Sequence, residues 1–344
     1  MITSKKTEFK HILLKNKLKV AVLGGGSWAT ALIKILVENK RNVGWYIRNE
    51  KNKDFIEKYH YNPSYLTSTT LKTKRLKIST DINTVVEQAD IIIVAIPSAF
   101  IMNEFAKLHI PLKDKIIVSA VKGVIPENMK IPGNHFHEDY GVPLDRIGVI
   151  CGPCHAEEVA MEKLSYLTIA CQDKTYAKCI ASMLKTKYIR VKVSDDIIGT
   201  EYAAMLKNIY AIAAGIAHGL GYGDNFQSVL MSNAIRETKR FIKDVHEMKR
   251  NINNSAYLGD LLVTGYSVFS RNRTFGNMIG KGYTVKAAQM EMNMIAEGYY
   301  ATKSARYINS QYRTQTHIIE AVYLILYEEK RPEKVFEKLT KRLD

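Results

Sequence analysis

Hydrophobic residues fall along this chain in two rhythms, and the change from one to the other comes near residue 195. After a polar leader over residues 1–17, LKVAVLG (18–24) is a short, β-branched apolar run ending in glycine, which predicts a strand. GGGSWATALIKILVENK then has a helical pattern, and NVGWYIRN (42–49) predicts a second strand, followed by a Lys/Tyr/Asn-rich loop containing NPSYL. ADIIIVAIPS (89–98) is a continuous apolar run of the kind buried on both faces of a parallel sheet, and KIIVSAVKG (115–123) and RIGVICGP (146–153) repeat the form. YLTIAC and YIRVKVS supply two more strands. Strands alternating with helical stretches predict a Rossmann-type, doubly wound α/β domain over residues 18–194.

After SDD at 194–196 the period becomes helical and stays so to the C-terminus, with Asp195 or Asp196 as the expected N-cap. No later segment matches the earlier strands, so residues 195–344 read as a separate all-α domain.

The 344 residues, 46% of them hydrophobic, suffice for a large core split between two domains. Four cysteines are too few for a disulfide scaffold and sit in or beside apolar stretches, which fits a reducing compartment. No signal-peptide block and no membrane-spanning run is present, so the expected location is the cytoplasm. The net charge of +16 is spread along the chain without a basic, aromatic-interleaved block. It reads as a solvated lysine-rich surface with no nucleic-acid partner, part of the excess serving phosphate-bearing ligands. No metal site is expected.

Three stretches carry chemistry. Gly24-Gly25-Gly26-Ser27-Trp28-Ala29 is a G-x-G-x-x-A form placed where a first strand turns into a helix, so its amides can approach a pyrophosphate at the positive helix end. The second strand ends Ile47-Arg48-Asn49 with no carboxylate; Arg48 suits a 2′-phosphate, or is a surface residue. In EYAAMLKNIYAIAAG, Lys207 and Asn208 interrupt an apolar helix. Burial favours the neutral amine that a general base requires, although on this stretch alone a snorkelling lysine fits equally well. LGDLLVT supplies Asp260 and Thr264, and SRNR supplies Ser270, Arg271 and Asn272, whose guanidinium and amide donors suit a phosphate dianion. CGPC (151–154) looks like a dithiol redox motif when read alone.

In order and content, GGGSWATA, NPSYL, IPS, VKG, CGP-x-x-A-x-E, EYAAMLKNIYAIAAGI, LGDLLVT, SRNR-x-FG and EGYYATK resemble the NAD(P)-dependent glycerol-3-phosphate dehydrogenase family from about residue 18 to about residue 330. The resemblance implies reversible reduction of dihydroxyacetone phosphate to sn-glycerol 3-phosphate by NADH or NADPH, for glycerophospholipid synthesis, in a homodimer. It implies Lys207 as general base, with Asp260 and Lys122 beside it. Lys122, Gly152, Cys154, Asn208, Asp260, Thr264, Ser270, Arg271 and Asn272 would contact substrate. Gly24, Gly26, Ser27, Trp28, Arg48, Lys122, Ala156, Arg271, Ile295 and Glu297 would contact cofactor.

The chain departs from the family at several positions. Cys154 stands where serine or threonine is usual, so CGPC reads as an accident, with Cys151 packed and Cys154 facing substrate. Tyr257 stands where glycine is usual, placing a bulky ring beside the substrate loop; His155 and Ala29 are milder changes. A related dehydrogenase for another phosphorylated or carboxylated hydroxy compound, and a nicotinamide-binding sensor without turnover, are the alternatives.

Overall fold

The computed structural model describes residues 18–292 and 296–344; the leader 1–17 and Ile295 lie outside the described residues. Eight strands form one sheet: β1 (Val20–Leu23), β2 (Val43–Tyr46), β3 (Leu76–Ser79), β4 (Ile91–Val94), β5 (Ile116–Ser119), β6 (Ile147–Cys151), β7 (Ser165–Cys171) and β8 (Ile189–Ser194). Their order is β3-β2-β1-β4-β5-β6-β7-β8, parallel except between β6 and β7. Between them run α1 (Ser27–Glu38), α2 (Glu50–Tyr59), α3 (Ile82–Glu87), α4 (Ile101–Phe105), α5 (Pro132–Glu138), α6 (Ala156–Ala160) and α7 (Lys174–Leu184). The chain order reverses between β1 and β4, which opens a crevice at the carboxyl ends of those strands.

Successive residues of the apolar strands serve opposite faces. Val20, Val22, Ile91 and Ile93 enter one core with α1, whereas Ala21, Leu23, Ile92 and Val94 enter a second core that continues into the C-terminal helices. That continuity joins the two halves of the molecule. Each expected strand is present, and the polar stretch after β2 contains more order than its composition suggests. Asn49 caps α2 by accepting from Asn52 N–H at 3.1 Å, and β3 follows as a partly exposed edge strand. The edge position explains the weak pattern, because one face of β3 meets solvent.

Among the described residues, every element after Ser194 is a helix: α8 (Ile197–Gly219), α9 (Asp224–Val245), a π-turn over Ser255–Gly259, then α10 (Asp260–Tyr266) and α11 (Arg271–Gly280). The chain continues through α12 (Val285–Glu291), α13 (Glu297–Tyr312), α14 (His317–Leu326) and α15 (Pro332–Thr340). Asp196 is the N-cap of α8, its carboxylate accepting from Gly199 N–H at 2.9 Å. α8 is the axis of this half, with every residue buried except Ile198, His218 and Gly219. No helix among the described residues is long and apolar enough to cross a membrane.

α8 and α11 touch backbone to backbone. A Cβ on Gly215 would lie 2.0 Å from the Arg273 carbonyl oxygen, and one on Gly276 would lie 2.1 Å from that of Ile212. The Gly215–Gly219 and Gly276–Gly280 pairs therefore set how close SRNR comes to the Lys207 helix. Gly215→Ala is expected to lower stability by about 3 kcal/mol through overpacking, measured by chemical denaturation.

Candidate active site

The site begins at the turn from β1 to α1. Gly24 has φ +125°, and a Cβ there would lie 2.5 Å from the Ala95 carbonyl oxygen, so the glycine permits β1 to approach β4. Gly26 meets the opposite condition, with nothing within 4 Å of its Cβ position. Ser27 opens α1, and Trp28 follows with its indole N–H buried and unpartnered. A free helix N-terminus, open space above Gly26 and an unused indole donor fit a dinucleotide pyrophosphate. Asn62 of NPSYL holds this turn, and sequence reasoning assigned it no role: its amide donates to Gly25 O at 3.1 Å and to Thr30 Oγ1 at 2.9 Å, while its carbonyl accepts from Ser64 and Tyr65 N–H. The available signal was a lone Asn-Pro in a polar loop.

From this turn a cavity of about 590 Å³ runs to the helical half, walled by Gly26, Ser27, Trp28, Lys122, Cys154, Ala156, Lys207, Asn208, Thr264, Ser270, Arg271, Asn272 and Glu297. Gly24, Gly152, Arg48 and Asp260 lie outside that wall, each in a different way. Gly152, with φ +114°, turns the chain after β6 where a Cβ would meet the Tyr166 carbonyl oxygen at 2.8 Å. Arg48 is exposed just beyond β2, its guanidinium 5.5 Å from the ring centre of Phe100, which does line the cavity.

Asp260 stands behind Lys207. Lys207 Nζ donates to Asp260 Oδ1 at 2.5 Å, and the two side chains are 5% and 2% exposed. Burial pushes the lysine down to about 8, against the upward pull of Asp260 and with help from the nearby charge of Lys122. It can therefore gain and lose a proton near neutral pH. Lys122 Nζ sits 5.5 Å from the Trp28 ring centre, between the cofactor turn and the lysine pair.

A chain of amides fixes the surrounding backbone. Asn208 Nδ2 donates to Lys122 O at 2.7 Å, Asn272 Nδ2 to Asn208 Oδ1 at 2.9 Å, and Gly298 N–H to Asn272 Oδ1 at 2.9 Å. Thus the loop after β5 and helices α8, α11 and α13 are tied by side chains from KN and RN. Ser270 caps α11, with Arg271 and Asn272 in its first turn, so an anion there meets helix N–H groups and a guanidinium together. Thr264 Oγ1 donates to Asp260 O at 2.6 Å, one turn back in α10.

All four cysteines are free thiols. Burial pushes Cys151 and Cys154 each up to about 12, and Cys151 Sγ donates to Thr168 O at 3.4 Å. A thiol reacts as thiolate, so CGPC has the reverse of a redox-active environment. Cys154 contributes wall to the cavity, with Ser165 as the partner of its thiol. His155, beside it, is pushed down to about 4 by burial, then by Lys122 and Lys207, and is neutral. Tyr257 places its ring in the π-turn that leads into Asp260, with its hydroxyl directed to Asp196.

A glycine-rich turn at the sheet's switch point, with a buried lysine–aspartate pair across the cavity, fits a two-domain nicotinamide-dependent dehydrogenase. The sequence matches the N-terminal model of NAD-dependent glycerol-3-phosphate dehydrogenase over residues 19–177 and the C-terminal model over residues 196–337. A glycerol-3-phosphate dehydrogenase (NAD(P)+) of Exiguobacterium is 34% identical over 94% of this chain and 95% of its own, and one of Limosilactobacillus reuteri is 34% identical over 90% and 93%. The crystal structure of glycerol-3-phosphate dehydrogenase from Coxiella burnetii superposes with a TM-score of 0.87 at 27% identity, covering 95% of this chain and 100% of that one. The chain belongs to the NAD-dependent glycerol-3-phosphate dehydrogenase family and is an NAD(P)-dependent oxidoreductase acting on a CH–OH group. Among the described residues no cluster of His, Cys, Asp and Glu could hold a metal ion.

Thiol titration of the native protein should label Cys179, the half-buried one, while Cys151 and Cys154 react only after unfolding. Native-state modification of the CGPC pair, followed by peptide mapping, would restore the redox reading.

Proposed function

We propose that the protein reduces dihydroxyacetone phosphate to sn-glycerol 3-phosphate with NADH or NADPH, reversibly, as a source of glycerophospholipid backbone. The observation that carries this reading is the buried Lys207–Asp260 pair placed across one cavity from the N-terminus of α11 with Ser270, Arg271 and Asn272. Gly26, Ser27, Trp28, Ala156 and Glu297 would hold the cofactor, with Gly24 shaping the turn and Arg48 at the adenosine end, where it favours a 2′-phosphate. The bound nicotinamide supplies hydride at its C4.

Lys207 as ammonium gives its proton to the substrate C2 oxygen during reduction and, as the neutral amine, takes it back during oxidation. Asp260 holds that amine in place, and Lys122 polarises the same oxygen. Arg271, Asn272, Ser270 and the first N–H groups of α11 bind the phosphate, remote from the reacting carbon. This anchoring aligns the carbon and raises the rate as well as the affinity. Gly152, Cys154, Asn208 and Thr264 shape the substrate's surroundings. We further propose that residues 18–194 act as the cofactor unit and 195–344 as the substrate unit, in a cytoplasmic homodimer. The buried reduced thiols suit that compartment, and the exposed Leu262, Tyr266 and Val268 offer apolar surface for a second copy.

Absorbance loss at the nicotinamide band with dihydroxyacetone phosphate is the direct test. Lys207→Ala should lower kcat by about 10²- to 10⁴-fold. Arg271→Ala should lower kcat/KM by about 10- to 100-fold through the lost charge-assisted bonds, and should spare an analogue without phosphate. Tight cofactor binding without turnover would remove the enzyme reading. Because oxidation needs the neutral amine, its rate should rise as pH passes through about 8, and the reduction rate should fall over the same range.

A further inference from the structure

Tyr257 and Asp196 are 61 residues apart and meet inside the protein, where the Tyr257 hydroxyl donates to Asp196 Oδ2 at 2.6 Å. The same carboxylate accepts from Arg250 Nε at 2.5 Å and Nη2 at 3.0 Å, and from Gly199 N–H at 2.9 Å. Burial opposes its charge, yet Arg250, Tyr257 and Gly199 N–H together hold it below the ordinary carboxylate range. Arg250 also donates to His246 O at 2.7 Å and contacts His246 Nδ1 at 2.7 Å, which binds the end of α9 into the cluster. The arginine and aspartate side chains are 7% and 4% exposed.

The position of this cluster gives it a task. Asp196 caps α8, and Lys207 lies three turns further along the same helix, roughly 16 Å at 1.5 Å per residue. Tyr257 sits in the π-turn, three residues before Asp260. The segment delivering Asp260 is thus fastened to α8 at two points, one at the helix start and one at Lys207. Gly259 closes the turn from the other side, its Cβ position lying 3.5 Å from Pro153 Cγ. None of these groups lines the cavity except through Asp260's partner, Lys207.

We propose that Tyr257, working through Asp196 and Arg250, is a positioning residue that sets Asp260 against Lys207 and so tunes the proton exchange. The proposal rests on the acid–base reading of Lys207 given above. Without the hydroxyl the π-turn loses one of its two ties to α8, Asp260 moves off the amine, and Lys207 is left with the opposing influence of burial and Lys122. The other titratable groups facing it, Cys151, Cys154 and His155, stay neutral and do not replace the lost carboxylate.

Tyr257→Phe retains the ring and removes the bond. Its kcat should fall on the order of 10-fold, as a sub-ångström misplacement of a reacting group does, with KM values for both substrates nearly unchanged. The midpoint of the oxidation pH profile should move down by about half a unit, since losing Asp260 favours the neutral amine. Arg250→Gln should change both in the same direction. A parallel titration of Lys207 by NMR on lysine-labelled protein reads the same midpoint without turnover. If the wild type fails to reduce dihydroxyacetone phosphate, the proposed function falls while this titration still judges the latch. A Tyr257→Phe protein with lowered thermal stability but wild-type kcat and Lys207 midpoint would overturn the positioning role and leave only a structural bond.

Discussion

A charged amine inside an apolar helix is the constraint around which this molecule is arranged. Lys207 is surrounded by residues that fit a helical core, and its charge is tolerable only with a carboxylate in contact. Removing either member of such a pair leaves a buried charge without compensation, at a cost of about 3–5 kcal/mol. The helix bearing Asp260 must therefore close on α8. The contact with Asp260 keeps the lysine in the core, while burial brings it down to where it can exchange a proton near neutral pH.

Around that pair, a chain of side-chain amides supplements the core that runs from the sheet into the C-terminal helices. Asn208 reaches across to the loop after β5, Asn272 bonds Asn208, and Gly298 N–H bonds Asn272, so every amide has a defined orientation and a rotation of one would orphan the next. Glycines at the α8–α11 crossing bring the first turn of α11 close to the lysine. On the other side, Asn62 steadies the glycine-rich turn through the Gly25 carbonyl. The glycine-rich turn, the buried lysine and the first turn of α11 are thereby held on rigid elements, which suits a reaction between two bound molecules.

CGPC shows how little a short motif means without its surroundings. Cys151 ends a buried strand and Cys154 packs against Ser165, and both thiols are driven away from the thiolate by burial. Nearby Lys122 and Lys207 favour the thiolate, but desolvation outweighs them.

The sequence by itself determined the strand–helix alternation, the helical change after residue 194, the glycine-rich turn and the anomalous lysine, because these depend on local period and burial. It also carried, as an ordered series of motifs, the family to which the chain belongs. It left α2 and β3 hidden in a polar stretch, since an edge strand with one wet face lacks a continuous apolar run. The pairing of Lys207 with Asp260, 53 residues away, was already implied by the ordered motifs; only the tertiary structure decided that Asn62 holds the glycine-rich turn through Gly25, that Asn272 bonds Asn208, and that Tyr257 turns to Asp196. Pattern reports how deeply a residue is buried; which group it meets there depends on how distant helices pack, and that is settled by the whole core at once.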